Sequence, residues 1–61
     1  MLTLTPNLKK PDDVYAALLS AHEGLTKDES DAFNARLILI LMNHIGDAEV
    51  INAALESARQ R

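Results

Sequence analysis

The chain has 61 residues, no cysteine, and a net charge of −3 from six basic and nine acidic residues. A chain this short buries only about 60% of the surface that it exposes when unfolded, and the lack of cysteine excludes disulfides and thiolate zinc sites as its means of stabilisation. The acidic balance argues against nucleic acids and anionic membranes as partners, so we expect oligomerisation or close helix packing to stabilise the fold.

The sequence pattern predicts neither a signal peptide nor a membrane-spanning segment. The apolar run at residues 37–42 is six residues long, whereas a helix needs about 20 apolar residues to span a bilayer. The first ten residues contain threonine, proline, asparagine and lysine instead of a continuous apolar stretch, which is not typical of a signal peptide. We therefore expect a cytoplasmic protein.

Residues 1–10 are predicted to form an N-terminal arm, followed by a single helical domain at residues 11–61. Leu2 and Leu4 alternate with threonines at a period of two, which favours an extended arm with both leucines on one side. A frayed terminus is the alternative. The sequence contains no repeat and no low-complexity segment.

The first helix is predicted at about residues 12–23. Pro11 is tolerated in a first helical turn, and Lys10 and Asp12 are alternative N-cap residues. Gly24 is expected to end the helix because glycine adopts a positive φ without a Cβ clash. Apolar residues recur with helical spacing along one face of this segment. They are Val14, Ala17, Leu18, Ala21 and Leu25.

A capping box is predicted to begin the second helix, which spans about residues 27–45 and ends at Gly46. In that box the Thr26 hydroxyl accepts from the Glu29 amide, and the Glu29 carboxylate accepts from the Thr26 amide. Asp47 is predicted to cap a third helix at about residues 48–59. The expected buried stripe of the third helix is Ile51, Ala54, Leu55 and Ala58. The fold class is therefore all-α, a compact three-helix unit with an extended N-terminal arm.

The second helix is too apolar for the other two helices to cover it within one copy. On a wheel of about 100° per residue, its apolar arc is more than twice the stripe of about 100° that a bundle helix buries. The other two helices are short and alanine-rich. We therefore predict a helical homodimer through this helix, the alternative being that the other helices and the arm cover it. The candidate interface residues are Phe33, Leu37, Ile38, Leu39, Ile40, Leu41, Met42 and Ile45.

Five polar side chains are candidates for a functional role. Asn34 falls inside the apolar arc, where it is either a core amide with satisfied hydrogen bonds or a residue that fixes register or oligomeric state. Arg36 and Asn43 share one face and form either a recognition stripe for a carboxylate or a partner's backbone, or a solvated surface. His22 and His44 lie at helix C-termini, where the dipole favours a protonated imidazole.

The sequence contains no motif for catalysis or for binding a metal or cofactor. It lacks a His-Glu-x-x-His pair, and its two glycines are explained as helix ends instead of a phosphate-binding loop. We therefore expect a protein that is not an enzyme, with no catalytic, cofactor-binding or metal-binding residues. The alternative is a small-molecule or metal site at the dimer interface, built by His22, His44, Arg36 and Asn43 of two chains.

Two segments, YAALLSAHEGL and FNARLILILMNHIGD, resemble a family of short bacterial proteins catalogued as a domain of unknown function. The resemblance extends from PNL near the start of the chain to the alanine-rich third helix. Some family members are named as related to biphenyl-2,3-diol extradiol dioxygenases, and others occur beside flavin-dependent monooxygenases of aromatic breakdown. The resemblance implies an accessory or small-subunit role in an oxygenase system. In that role the partner would be a larger subunit, whereas the apolar surface of the second helix alone favours a second copy. It carries over no established functional residues.

Overall fold

The computed structural model describes residues 2–60 and contains three α-helices. They are α1 (Pro11–Ala21), α2 (Lys27–Ile45) and α3 (Ala48–Arg59). No strand occurs between residues 2 and 60. The predicted all-α class and three-helix unit are confirmed. Met1 of the predicted arm and Arg61 at the end of the predicted domain lie outside the described residues.

Helix α1 begins one residue earlier and ends two residues earlier than predicted. Lys10 is the N-cap, without a side-chain capping bond, and Pro11 is the first helical residue. At the other end, the His22 amide donates to the Leu19 carbonyl at 3.1 Å. This i→i+3 bond tightens the chain into a turn, so the α-helix ends at Ala21 and does not reach position 23.

Both predicted glycine stops have a positive φ. Gly24 has φ 76° and lies in the turn after α1, whereas Gly46 has φ 65° and directly follows α2. The Gly46 amide also donates to the Met42 carbonyl at 2.9 Å. A side chain at either position would be strained, because left-handed backbone brings Cβ too close to the following carbonyl oxygen.

The predicted caps of α2 and α3 are both present. Thr26 Oγ1 accepts from the Glu29 amide at 3.2 Å, and Glu29 Oε1 accepts from the Thr26 amide at 2.9 Å. Asp47 Oδ1 accepts from the amides of Glu49 at 2.9 Å and Val50 at 3.3 Å. These bonds satisfy amides that have no partner within their own helix.

The two flanking helices relate to α2 differently. The backbone of α3 approaches α2 over a short stretch, whereas no part of α1 comes equally close to α2. Met42 on α2 and Val50 and Ile51 at the start of α3 are half-buried. The expected burial of the whole α3 stripe is wrong for one copy, because α3 contacts α2 only briefly. Its exposed members are Ala54, Leu55 and Ala58.

No side chain between residues 2 and 60 is fully buried. The radius of gyration is 13.3 Å, compared with about 10.5 Å for a globular domain of this length. On α2, Leu39 is 66% exposed and Ile40 is 64% exposed, and Leu4 in the arm is 76% exposed. In one copy, therefore, neither the other helices nor the arm covers the apolar surface of α2.

Candidate functional site: an apolar groove between α1 and α2

An open groove of about 450 Å³ separates α1 from α2. Its walls are almost entirely apolar. The residues that line it are Val14, Ala17, Leu18 and Ala21 from α1 and Phe33, Leu37 and Leu41 from α2. Three of the eight predicted interface residues therefore lie in this groove.

The spacing of the lining residues explains why they share one surface. Phe33, Leu37 and Leu41 follow one another at intervals of four residues, which places them on one face of α2. At a rise of 1.5 Å per residue, this row is about 12 Å long. Val14 and Leu18, and likewise Ala17 and Ala21, keep the same interval on α1. The α1 wall thus combines two large side chains with two small ones, whereas all three side chains of the α2 wall are large.

His22 links the two walls at one end of the groove. Its Nδ1 donates to the Leu18 carbonyl at 2.8 Å, and its Nε2 donates to Asn34 Oδ1 at 2.8 Å. Its ring also contacts the Phe33 ring edge-on, with centroids 4.9 Å apart and an interplanar angle of 78°. Since Leu18 and Phe33 line opposite walls, His22 contacts both walls at this end of the groove.

The two hydrogen bonds of His22 favour its charged form. Both partners are carbonyl oxygens, which only accept, so both bonds form together when each ring nitrogen carries a proton. The bond to the Leu18 carbonyl, and then the bond to Asn34, raise the pKa of His22 above its ordinary value of 6.5, against a smaller opposing effect of desolvation. The sequence placed His22 at the end of a helix, and the structure adds a hydrogen bond from its ring to Asn34 of α2.

The other candidate polar residues are not assembled into a site within one copy. Asn34 is exposed, so the expectation of a core amide is wrong, although its oxygen is satisfied by His22. Arg36, Asn43 and His44 are exposed and form no side-chain hydrogen bond within residues 2–60. Glu29 serves the cap of α2 instead of pairing with Arg36.

The remaining predicted interface residues lie on other parts of α2, outside the lining of the groove. Met42 is half-buried toward α3, and the others are about half to two-thirds exposed. They are Ile38, Leu39, Ile40 and Ile45. The sequence pattern did not predict that the apolar face of α1 forms one surface with the apolar face of α2. Both helices carry apolar residues at intervals of four, and this shared spacing is the signal that could have indicated it.

Neither a metal-binding cluster nor a membrane-spanning helix occurs among residues 2–60. Within residues 2–60, no three histidine, aspartate or glutamate side chains are grouped so that they could hold a metal ion. None of the helices α1, α2 and α3 is both long and apolar enough to cross a membrane.

Residues 2–60 match the family model described as "Protein of unknown function (DUF2783)". No curated protein and no solved structure matches the chain. The family description names no oxygenase, so it supports the predicted resemblance at the level of the family alone. Because the match includes all three helices and the groove between α1 and α2, this protein belongs to the DUF2783 family.

Proposed function

We propose that this protein is a small helical interaction module that acts as a homodimer held together by the apolar faces of α1 and α2. The observation that carries the proposal is the amount of surface that one copy leaves exposed. A single copy has an accessible surface of 5699 Å², whereas a folded monomer of 6.7 kDa is expected to expose about 3,900 Å².

The excess of about 1,800 Å² per copy has the size of a stable interface. Two copies that covered this excess would bury about 3,600 Å² in total, which lies within the range of roughly 2,000–5,000 Å² for obligate homodimers. The exposed side chains are also of the kind that such interfaces bury, among them Val14, Leu18, Ile38 and Leu41. The area and the apolar character of the exposed surface therefore favour a partner with a large contact area over a transient encounter.

A second copy is the partner that fits this surface most simply. Most soluble oligomers are symmetric homo-oligomers, and in a two-fold dimer the same patch meets itself. Each copy exposes the same apolar side chains on α1 and α2, so one interface covers them in both copies. Since a single copy buries only about 40% of the surface of its unfolded chain, compared with about 60% for a typical domain of this size, we expect folding and dimerisation to be coupled.

The proposal is tested by sedimentation equilibrium and circular dichroism over a wide range of protein concentration. We expect a mass of twice 6.7 kDa and a Tm that rises with concentration, because dissociation accompanies unfolding. A helical monomer whose Tm does not change with concentration would show that one copy is sufficient and would refute the proposal.

A second form of the proposal places the same apolar surface on a larger oxygenase of aromatic breakdown. Its support is the resemblance of the sequence to proteins named for such systems. The test mixes the purified chain with a purified oxygenase of aromatic breakdown and measures binding by calorimetry. Saturable one-to-one binding that is lost in Leu41→Asp would support the small-subunit role, and no heat of binding would exclude it for that enzyme.

A small-molecule site is the alternative from a different class of function. The groove of about 450 Å³ is within the range of ligand pockets, but such pockets place a few polar groups toward their ligand. Here the polar candidates Arg36, Asn43 and His44 are not gathered around the groove in one copy. A thermal-shift screen with aromatic acids and divalent metals tests this alternative, and a saturable shift would favour it over the interaction module.

A further inference from the structure

We infer that the groove between α1 and α2 is filled by α2 of a second copy, so that two α1–α2 hairpins close into a four-helix bundle. The inference rests on the proposed homodimer and specifies which surface forms it. Phe33, Leu37 and Leu41 of each copy would pack between the two walls of the other copy. Of the seven lining residues, Phe33 and Leu37 are half-buried in one copy and the other five are exposed. All seven would become the core of the assembly.

The lining of the groove is suited to a helix. Side chains at intervals of four form the ridges that interdigitate when two helices pack, and the groove between α1 and α2 is bordered by such ridges on both sides. Its row on α2 is about 12 Å long, or roughly two turns of helix. Almost no polar atom lines the walls to orient a small ligand, whereas a helix satisfies its own backbone polar groups and needs none.

The chain itself carries a matching ridge on α2. Phe33, Leu37 and Leu41 would fit against Ala17 and Ala21 of the partner copy, since large residues pack well opposite small ones. The arrangement is self-complementary, because each α2 is both the ridge for one groove and a wall of the other. A two-fold axis near the middle of the row satisfies both grooves at once.

Helix α3 is a weaker candidate for the occupant. Its first turn is already used within its own copy, where Val50 and Ile51 are half-buried next to α2. Leu55, at 47% exposure, is then the large apolar side chain that α3 still exposes. One large side chain does not make a ridge, so α3 would fill the groove only in part.

In the first experiment, Ala17→Phe places a large side chain inside the groove, and Ala16→Phe is its matched control. Both alanines are exposed in α1, but only Ala17 lines the groove. We expect Ala17→Phe to weaken dimerisation at least about tenfold, as expected when a central interface position is obstructed, and Ala16→Phe to leave it within about twofold. Equal effects of the two variants, measured by sedimentation, would overturn the inference.

The second experiment reads the packing directly by cross-linking. The chain has no cysteine, so Leu37→Cys introduces a unique thiol in the groove, and Leu39→Cys introduces one on the opposite face of α2. We expect a short bis-maleimide to join Leu37→Cys into a covalent dimer and to leave Leu39→Cys uncoupled. Circular dichroism of both variants confirms that the helices are retained.

The outcomes separate this inference from the proposal on which it rests. If the native chain is a dimer but Leu39→Cys couples and Leu37→Cys does not, the homodimer stands and the groove is not its interface. If the native chain stays monomeric, the homodimer itself is wrong. Saturable uptake of a small apolar dye by the native dimer, abolished in Ala17→Phe, would identify the groove as a ligand site and would also overturn the inference.

Discussion

The two neighbours of α2 are attached to it in different ways. On one side, a tight turn at Gly46 and a cap at Asp47 lead directly into α3, whose first residues are half-buried next to Met42. On the other side, residues 22–26 lead from α1 to α2, and the two helices are linked across the groove by the hydrogen bond between His22 and Asn34. One junction is closed by local contacts, and the other is left open.

This difference shows where one copy is incomplete. Burying one leucine or isoleucine stabilises a fold by about 1.5–3 kcal/mol, and a whole domain is stable by only about 5–15 kcal/mol. Val14, Leu18 and Leu41 remain in water on the open side. The free energy that their burial would contribute is therefore a substantial fraction of the stability that such a chain can have. The α1–α2 side is the place where a partner has the most to contribute.

The largest effect is expected for Leu41→Asp on the open side. A carboxylate in the core of the assembly would cost about 3 kcal/mol or more, because it removes apolar burial and adds an unpaired charge. We expect loss of the dimer, with loss of helical signal at low protein concentration, in sedimentation and circular dichroism.

The matched control for this change is Leu39→Asp on the opposite face of α2. Leu39 is 66% exposed and does not line the groove, so we expect a change within about 0.5 kcal/mol. If Leu39→Asp weakened the dimer as much as Leu41→Asp, the groove face of α2 would contribute no more to dimerisation than the opposite face.

A smaller effect is expected for Asp47→Ala at the closed junction. The substitution removes the acceptor for the amides of Glu49 and Val50, so we expect a loss of about 1 kcal/mol. Urea denaturation at a fixed protein concentration measures it. Asp13→Ala is the control, because Asp13 lies in the first turn of α1 without a capping bond and should cost a few tenths of a kcal/mol through the helix dipole alone. Equal losses would mean that the cap at Asp47 contributes nothing beyond its charge.

A pH dependence is expected from the link at the open junction. Because the pKa of His22 is raised above 6.5 in the folded chain, protonation stabilises the fold, and this contribution is fully present below pH 6.5 and is lost as the pH rises through the raised pKa. We expect the free energy of unfolding of the native chain, relative to His22→Gln, to decrease over that interval. His44 is common to both proteins, so the difference isolates His22. A difference that is constant with pH would show that the charged link is not formed in solution.

The smallest effect is expected for Arg36→Ala. Arg36 forms no side-chain hydrogen bond or ion pair within residues 2–60, so thermal unfolding should change by less than about 0.5 kcal/mol. A larger loss of stability would indicate that Arg36 lies in an interface, and that this interface includes residues outside the groove.

The elements that could be predicted from the sequence depend on neighbours within a few residues. The capping box at Thr26, the cap at Asp47 and the positive φ of Gly46 each involve groups no more than four residues apart, and all three are present. The end of α1 was placed too late because two i→i+3 bonds close the turn before Gly24. Competition between α and 3₁₀ bonding in a last turn depends on small energy differences that the pattern of residues does not reveal.

The candidate site could be predicted only in part. The pattern of α2 identified Phe33, Leu37 and Leu41 as surface-forming apolar residues, but it did not identify α1 as the second wall. The hydrogen bond between His22 and Asn34 could not be predicted from the sequence pattern either, because the two residues are twelve positions apart. Such a contact depends on the direction in which the chain leaves the turn at residues 22–26, and no local spacing encodes that direction.

The sequence by itself determined three helices, their caps and an excess of apolar surface, because each depends on residue type and on spacing along one helix. Tertiary structure alone decided that α3 closes one side of α2 while α1 stands away from the other. It also decided that His22, directly after α1, bonds to Asn34 of α2 beside an open groove. The physical reason is that caps and amphipathic faces form within a few turns of helix, whereas the angle between helices is set by contacts between residues distant in the chain.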